Sequence, residues 1–117
     1  MIIYYNPKCS KCREALGLLE GENCEVEIRN YIAEPPSKKE LKELLKKLGI
    51  KAFDLVRTKE QLYKDKYEGK KLSNDQWVKI LIDHPELIER PIVVDGEKAL
   101  IGRPPVLVLD LVKRKKR

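Results

Sequence analysis

Apolar and polar positions change period several times along the chain, and each change marks an element. Ile2-Ile3-Tyr4-Tyr5 is a short apolar run and predicts a buried strand. Asn6-Pro7 then turns the chain, and Cys12, Ala15, Leu16 and Leu19 recur at helical spacing, with Ser10 as the expected N-cap and Gly21 as the stop. Cys24, Val26 and Ile28 alternate with Glu25, Glu27 and Arg29, the pattern of a half-buried strand. Glu34-Pro35-Pro36 breaks that pattern. Ser37-x-x-Glu40 reads as a capping box opening a second helix, whose inner stripe is Leu41, Leu44, Leu45 and Leu48 and whose end is Gly49. Between 50 and 72 the signal weakens: Phe53, Leu55 and Val56 suggest the anchors of a short helical piece, and 64–71 reads as an exposed polar loop. Ser73-x-x-Gln76 is a second capping box, followed by Trp77, Ile80, Leu81 and His84 on one helical face before Pro85. Ile92-Val93-Val94, Asp95-Gly96 and Ala99-Leu100-Ile101 predict a β-hairpin with a type I′ turn at Asp-Gly. Pro104-Pro105 leads into a last apolar segment, 106–112, where proline at a first turn favours helix over strand.

The order is β-α-β, a helical insert, a β-hairpin and a C-terminal helix. A β-α-β unit implies a parallel strand pair with a right-handed crossover, and the hairpin adds antiparallel strands. The expectation is an α/β fold of thioredoxin-like layout: one domain over 1–112, a helical insert at about 36–86, and a basic tail at 113–117.

Composition narrows the picture. At 117 residues and 42% hydrophobic content, the chain can bury a core without disulfide staples. No apolar run approaches the ~18–20 residues of a membrane span, and the first residues lack the charged lead and apolar stretch of a secretory signal. Three cysteines, two of them in CxxC spacing, suit redox or catalytic use in a reducing cytoplasm rather than a secreted disulfide framework. The net charge of +6 suggests nucleic acid, but the last five residues supply five of it. No basic stripe with interleaved aromatics remains elsewhere.

Asn6-Pro7-Lys8-Cys9-Ser10-Lys11-Cys12-Arg13 carries the chemistry. Cys9 falls at the turn between strand and helix, where open backbone N–H groups and the helix dipole favour the thiolate. Moving a thiol from pKa ~8.5 to about 6.5 requires roughly 2.7 kcal/mol of preferential stabilisation. A helix end supplies ~0.3–1 kcal/mol, up to ~2, so nearby cations are required as well. Cys12, one turn on, has two readings: a resolving thiol within reach of Cys9, or core packing with Ala15, Leu16 and Leu19. Cys24, on its alternating strand, reads as core, and His84 as structural. Cys9, Cys12, Cys24 and His84 lack the second paired element of structural zinc, so no metal is expected. Arg57, Arg90 and Arg103 stand out by position. Arg90 and Arg103 flank the hairpin, and two guanidinium groups that converge on a thiolate would both lower its pKa and cradle an oxyanion.

Together these residues resemble the arsenate reductase family of the glutaredoxin-coupled type, and its relatives the Spx-like proteins. The resemblance rests on Tyr4-Tyr5-Asn6-Pro7-Lys8-Cys9, Glu34-Pro35-Pro36-Ser37, the run from Leu55 to Arg57, His84-Pro85, Arg90-Pro91-Ile92-Val93-Val94 and Gly102-Arg103-Pro104. It implies that Cys9 attacks arsenate, that Arg57, Arg90 and Arg103 bind the oxyanion, that Asn6 and Arg13 belong to the anion-binding loop, and that Pro91 is cis. It implies no bound cofactor; glutathione would be the co-substrate and a glutaredoxin the partner. Cys12 stands where those enzymes usually have serine and matches the CxxC of the Spx-like regulators. This leaves two alternatives: a redox-sensing regulator that binds RNA polymerase, and a general thiol-disulfide oxidoreductase.

Overall fold

The computed structural model describes residues 1–115, with side chains placed through Lys113; Lys116 and Arg117 of the expected basic tail lie outside the described residues. The chain forms two compact units, one comprising Met1–Glu34 with everything from Arg90 onward, the other Pro35–Glu89.

The first unit holds β1 (Ile2–Tyr5), α1 (Ser10–Gly21), β2 (Glu27–Asn30), β3 (Ile92–Asp95), β4 (Lys98–Ile101) and α5 (Leu109–Lys115), entered through a 3-10 turn at Pro105–Val108. The described strands make one sheet in the order β2-β1-β3-β4. β1 and β2 run parallel because α1 carries the chain back between them, while β3 pairs antiparallel with both β1 and β4. This is the expected thioredoxin-like α/β architecture. Ile3 and Val93 are register partners, and both enter a core with Ala15 and Leu19 of α1 and Val108, Leu111 and Val112 of the C-terminal segment. Each of the larger side chains, Ala15 apart, contributes roughly 1.5–3 kcal/mol when fully buried.

Several local expectations shift. Helix α1 begins one residue early: Cys9 is its N-cap, with extended backbone (φ −96°, ψ 115°), and Ser10 is already helical. The helix runs through Gly21, and the left-handed position behind it is taken by Asn23 (φ 59°), a residue that tolerates it. The strand read from Cys24 starts only at Glu27. Cys24 and Val26 pack against the core before it begins, while Ile28, on an edge strand with one neighbour, stays 52% exposed. In the hairpin, Asp95 pairs with Lys98, so Gly96 and Glu97 form the turn. Only Gly96 there has positive φ (60°), the type II′ pattern rather than I′. The last apolar segment is helical, and α5 continues to Lys115, drawing three of the expected tail residues into its last turn. Cations at a helix C-terminus suit its dipole.

The second unit contains α2 (Lys38–Leu48), a 3-10 turn at Ala52–Leu55, α3 (Gln61–Lys66), α4 (Asn74–Asp83) and a 3-10 turn at Pro85–Leu87. Ser37 Oγ accepts from the Glu40 N–H, and Ser73 and Gln76 cap each other reciprocally. Gly49 ends α2 in the left-handed conformation (φ 71°). Leu41, Leu44, Leu45, Leu55, Val78 and Leu81 are buried. The expected loop at 64–71 overlaps α3, because Tyr63 is buried and packs toward Trp77 and Phe53. Phe53 itself is 43% exposed and rims this aromatic cluster instead of anchoring it.

Candidate active site

The register of the first unit's sheet assembles one end of it. Tyr4 near the end of β1 pairs with Ile92 at the start of β3, and Ile92 pairs with Ile101 at the end of β4. The residues just outside those ends therefore meet: the turn after β1 carries Cys9, Arg90 lies two residues before β3, and Arg103 lies two residues after β4. Residues separated by more than eighty positions share a site because three strands end there.

The turn after β1 is held by its own polar groups. Asn6 Oδ1 accepts from the Lys8 N–H at 3.0 Å, and the Asn6 carbonyl accepts from the Cys9 N–H at 2.9 Å. The Cys9 carbonyl in turn accepts from the Arg13 N–H at 3.2 Å as the helix starts. Cys9 is buried, 5% exposed, and Cys12 is fully buried one helical turn on. The Arg13 side chain is exposed, so its tie to the loop is the backbone bond.

Burial alone pushes the Cys9 thiol up. The Arg90 guanidinium beside it, by hydrogen bonding and charge, together with the Cys12 N–H and thiol, overcomes this and brings it down to about 7. The Cys9 side chain makes no capping hydrogen bond of good geometry, so the Cys12 N–H acts on the sulfur as an electrostatic neighbour. Arg90 shows the reciprocal effect: burial would weaken its charge, and the Cys9 thiolate instead raises its pKa. Burial pushes the Cys12 thiol up to about 12, with the Asn6 N–H opposing and the Cys9 thiolate adding to the rise. At neutral pH Cys12 thus stays a thiol while Cys9 is about half ionised.

Arg103 reaches back across the hairpin, its Nε donating to the Arg90 carbonyl at 2.7 Å. The peptides Arg90–Pro91 and Arg103–Pro104 are both cis, the first as the resemblance implies. Arg90 Nε is buried with no acceptor among the described residues, an unpaired donor on the guanidinium that lies beside Cys9. Arg57 belongs to the second unit, where its guanidinium pairs with Glu60 and its N–H donates to the Leu87 carbonyl at 2.7 Å. His84 is the C-terminal cap of α4, with Nδ1 3.5 Å from Glu86 Oε1, and takes the structural place expected of it. A groove of about 690 Å³ in the second unit, lined by Phe53, Trp77 and three lysines, includes none of the expected site residues.

A family model described as the ArsC family matches residues 4–111. The chain belongs to the ArsC family. An arsenate reductase of Haemophilus influenzae is 45% identical over 114 residues, covering 96% of this chain and 98% of that protein. An arsenate reductase of Neisseria meningitidis serogroup B is 43% identical over 104 residues, covering 87% and 89%. The solved structure of an arsenate reductase from Vibrio cholerae matches with a TM-score of 0.89 at 45% identity, over 93% of this chain and 94% of that one.

Two residues beside these side chains have structural roles that their motifs do not announce. Tyr31 is fully buried just after β2 and acts electrostatically on Arg90. Its only signal is an aromatic directly after Asn30, whose side chain accepts from the Ile32 and Ala33 N–H groups and turns the chain. Gly102 is the other. A Cβ there would lie 2.9 Å from Val108 Cγ1 and 3.0 Å from Pro91 Cγ, and its N–H donates to the Pro91 carbonyl at 2.8 Å. A residue without a side chain lets the end of β4 press onto Pro91 and aims Arg103 at Arg90. The signal is the glycine itself, set between a strand end and Arg-Pro.

Proposed function

We propose that the chain is an arsenate reductase in which Cys9 is the nucleophile and Arg90 and Arg103 hold the oxyanion. The observation that carries this reading is Cys9 buried at the N-cap of α1 with the Arg90 guanidinium beside it, which lowers its pKa. A thiolate attacks the arsenic of arsenate, and an oxygen leaves as water once protonated, giving a Cys9–S–As(V) thioester. Guanidinium donors offset the negative charge that would otherwise repel the two anions. Arg103, through its bond to the Arg90 carbonyl, fixes the backbone from which Arg90 projects. Arg57 takes its oxyanion-binding role from the family resemblance. Glutathione, with a glutaredoxin, is the source of reducing equivalents, and the protein binds no cofactor. The relatives described above bear the names of reductases, which favours this reading over the regulator alternative.

The test is coupled turnover. Reduced protein with glutathione, glutaredoxin and glutathione reductase is expected to oxidise NADPH when arsenate is added, and Cys9→Ser to abolish that rate. No arsenate-dependent oxidation with any thiol donor would overturn the proposal.

A further inference from the structure

Cys12 is a nucleophilic side chain that oxyanion capture by Cys9 does not use. It sits at the third position of α1 while Cys9 caps that helix, so the two side chains lie within one helical turn and each shifts the other's ionisation. Cys12 is fully buried and Cys9 nearly so, with the chain's other cysteine, Cys24, on a separate segment ahead of β2. Small thiols from solution thus have no direct approach to Cys12, whereas Cys9 lies within the same first turn of the helix.

We propose that Cys12 is the resolving nucleophile of the same reaction: it attacks Cys9 Sγ of the arsenic thioester, releases arsenite and leaves a Cys9–Cys12 disulfide. This inference rests on the arsenate reading given above. In the step, the S–As bond breaks and its electron pair stays on arsenic, which passes from As(V) to As(III). The Cys12 S–H bond breaks as the S–S bond forms, and the thiol proton ends on an oxygen of the departing arsenite. The two thiols together lose the two electrons that arsenic gains. Glutathione and glutaredoxin then reduce the disulfide and restore both thiols.

The site orders these events. While Cys9 is a thiolate, its charge helps keep Cys12 protonated, so the two sulfurs do not compete for arsenate. Once Cys9 is bonded to arsenic its sulfur is an electrophile, and Cys12, still held as a thiol chiefly by burial, gives its proton to an oxygen of the arsenic group as it attacks. Capture by the first sulfur is thereby the event that gives the second something to attack.

A single-turnover experiment tests this on the full chain in a Cys24→Ser background, reduced and then freed of small thiols. With arsenate alone, the protein is expected to form about one arsenite per chain, lose two titratable thiols and drop about 2 Da in mass, with peptide mapping joining Cys9 to Cys12. Cys12→Ser and Cys12→Ala, each verified folded by circular dichroism, are expected to give less than about a tenth of that arsenite without glutathione. If either folded variant released as much arsenite as the parent, or the parent released none without glutathione yet turned over with glutathione and glutaredoxin, the role of Cys12 would be overturned and the arsenate reading left standing. No arsenate-dependent chemistry under any donor would overturn both.

Discussion

Removing the Arg90 guanidinium isolates what makes Cys9 reactive. From its ordinary value of 9.0, Cys9 reaches about 7 although burial pushes the other way. That difference corresponds to about 2.7 kcal/mol favouring the thiolate, net of the burial cost. Arg90 is the strongest influence acting against burial, so Arg90→Met is expected to carry the thiol back up by as much as the two units to 9.0. At pH 7 the ionised fraction then falls from about one half to roughly 1%, a loss near 50-fold. A more basic thiolate is intrinsically more nucleophilic, which for a Brønsted slope of ~0.4–0.5 returns roughly 6–10-fold. The alkylation rate of Cys9 at pH 7 should therefore drop only about 5–8-fold, while its pH midpoint moves upward by about two units. The measurement is the rate of iodoacetamide alkylation against pH in a Cys24→Ser background, with the site read by mass spectrometry. Arg90→Lys should fall between, since an ammonium keeps the charge and loses the planar fork. A midpoint that stays near 7 in Arg90→Met would refute the assignment and shift the cause to the helix start itself.

Other consequences follow from the same geometry. In a Cys12→Ser background, ionisation of Cys9 stabilises the fold above pH 9 and loses that effect as pH falls through 7, because its folded pKa is the lower one. The stability gap to the Cys9→Ser/Cys12→Ser protein, measured by urea unfolding, should change by about 2 kcal/mol between pH 9 and pH 6 in that direction. Gly102→Ala places a Cβ 2.9 Å from Val108 Cγ1, and urea unfolding should show a loss of about 1–3 kcal/mol. Because the same change displaces Arg103, it should also weaken apparent arsenate affinity in steady-state turnover. Leu19→Ala in the core should cost about 2–5 kcal/mol with the Cys9 alkylation midpoint unmoved.

How much the amino-acid order reveals depends on how local the cause is. The strand Ile2–Tyr5, the Cys12-Ala15-Leu19 face, both serine caps and Gly49 are decided within a turn or two, and all are legible. The hairpin is legible too, but its turn lies one residue later than Asp-Gly suggests, since pairing Asp95 with Lys98 sets opposite charges across the strands. Tyr63 lies in a charged stretch, and only its distant ring neighbours Phe53 and Trp77 make it a buried helical residue. In the same way Ile28 fits an alternating pattern, yet the edge of the sheet leaves it uncovered. At the site, Cys9, Arg90 and Arg103 are visible as positions, while the Arg103–Arg90 hydrogen bond is not, because it depends on how tightly Gly102 packs onto Pro91. Arg57 illustrates the converse: its partner Glu60 stands three residues on, a spacing readable without any structure.

The strand register therefore carries chemical weight as well as structural weight. Slipping β3 by one residue against β1 would turn Val93 away from Ile3 and carry Arg90 off the level of the 6–9 turn. The first consequence exposes core; the second leaves a buried sulfur with no guanidinium to hold its charge, and a thiol in that position would stay protonated. Core burial of Ile3 and Val93 and ionisation of Cys9 thus select the same register. A mutation that loosens the pairing, such as Val93→Gly, should raise the Cys9 alkylation midpoint before it unfolds the chain. By contrast, Leu19→Ala removes core volume from α1 and leaves the strand ends in place, so stability and thiol reactivity separate in one variant and fall together in the other.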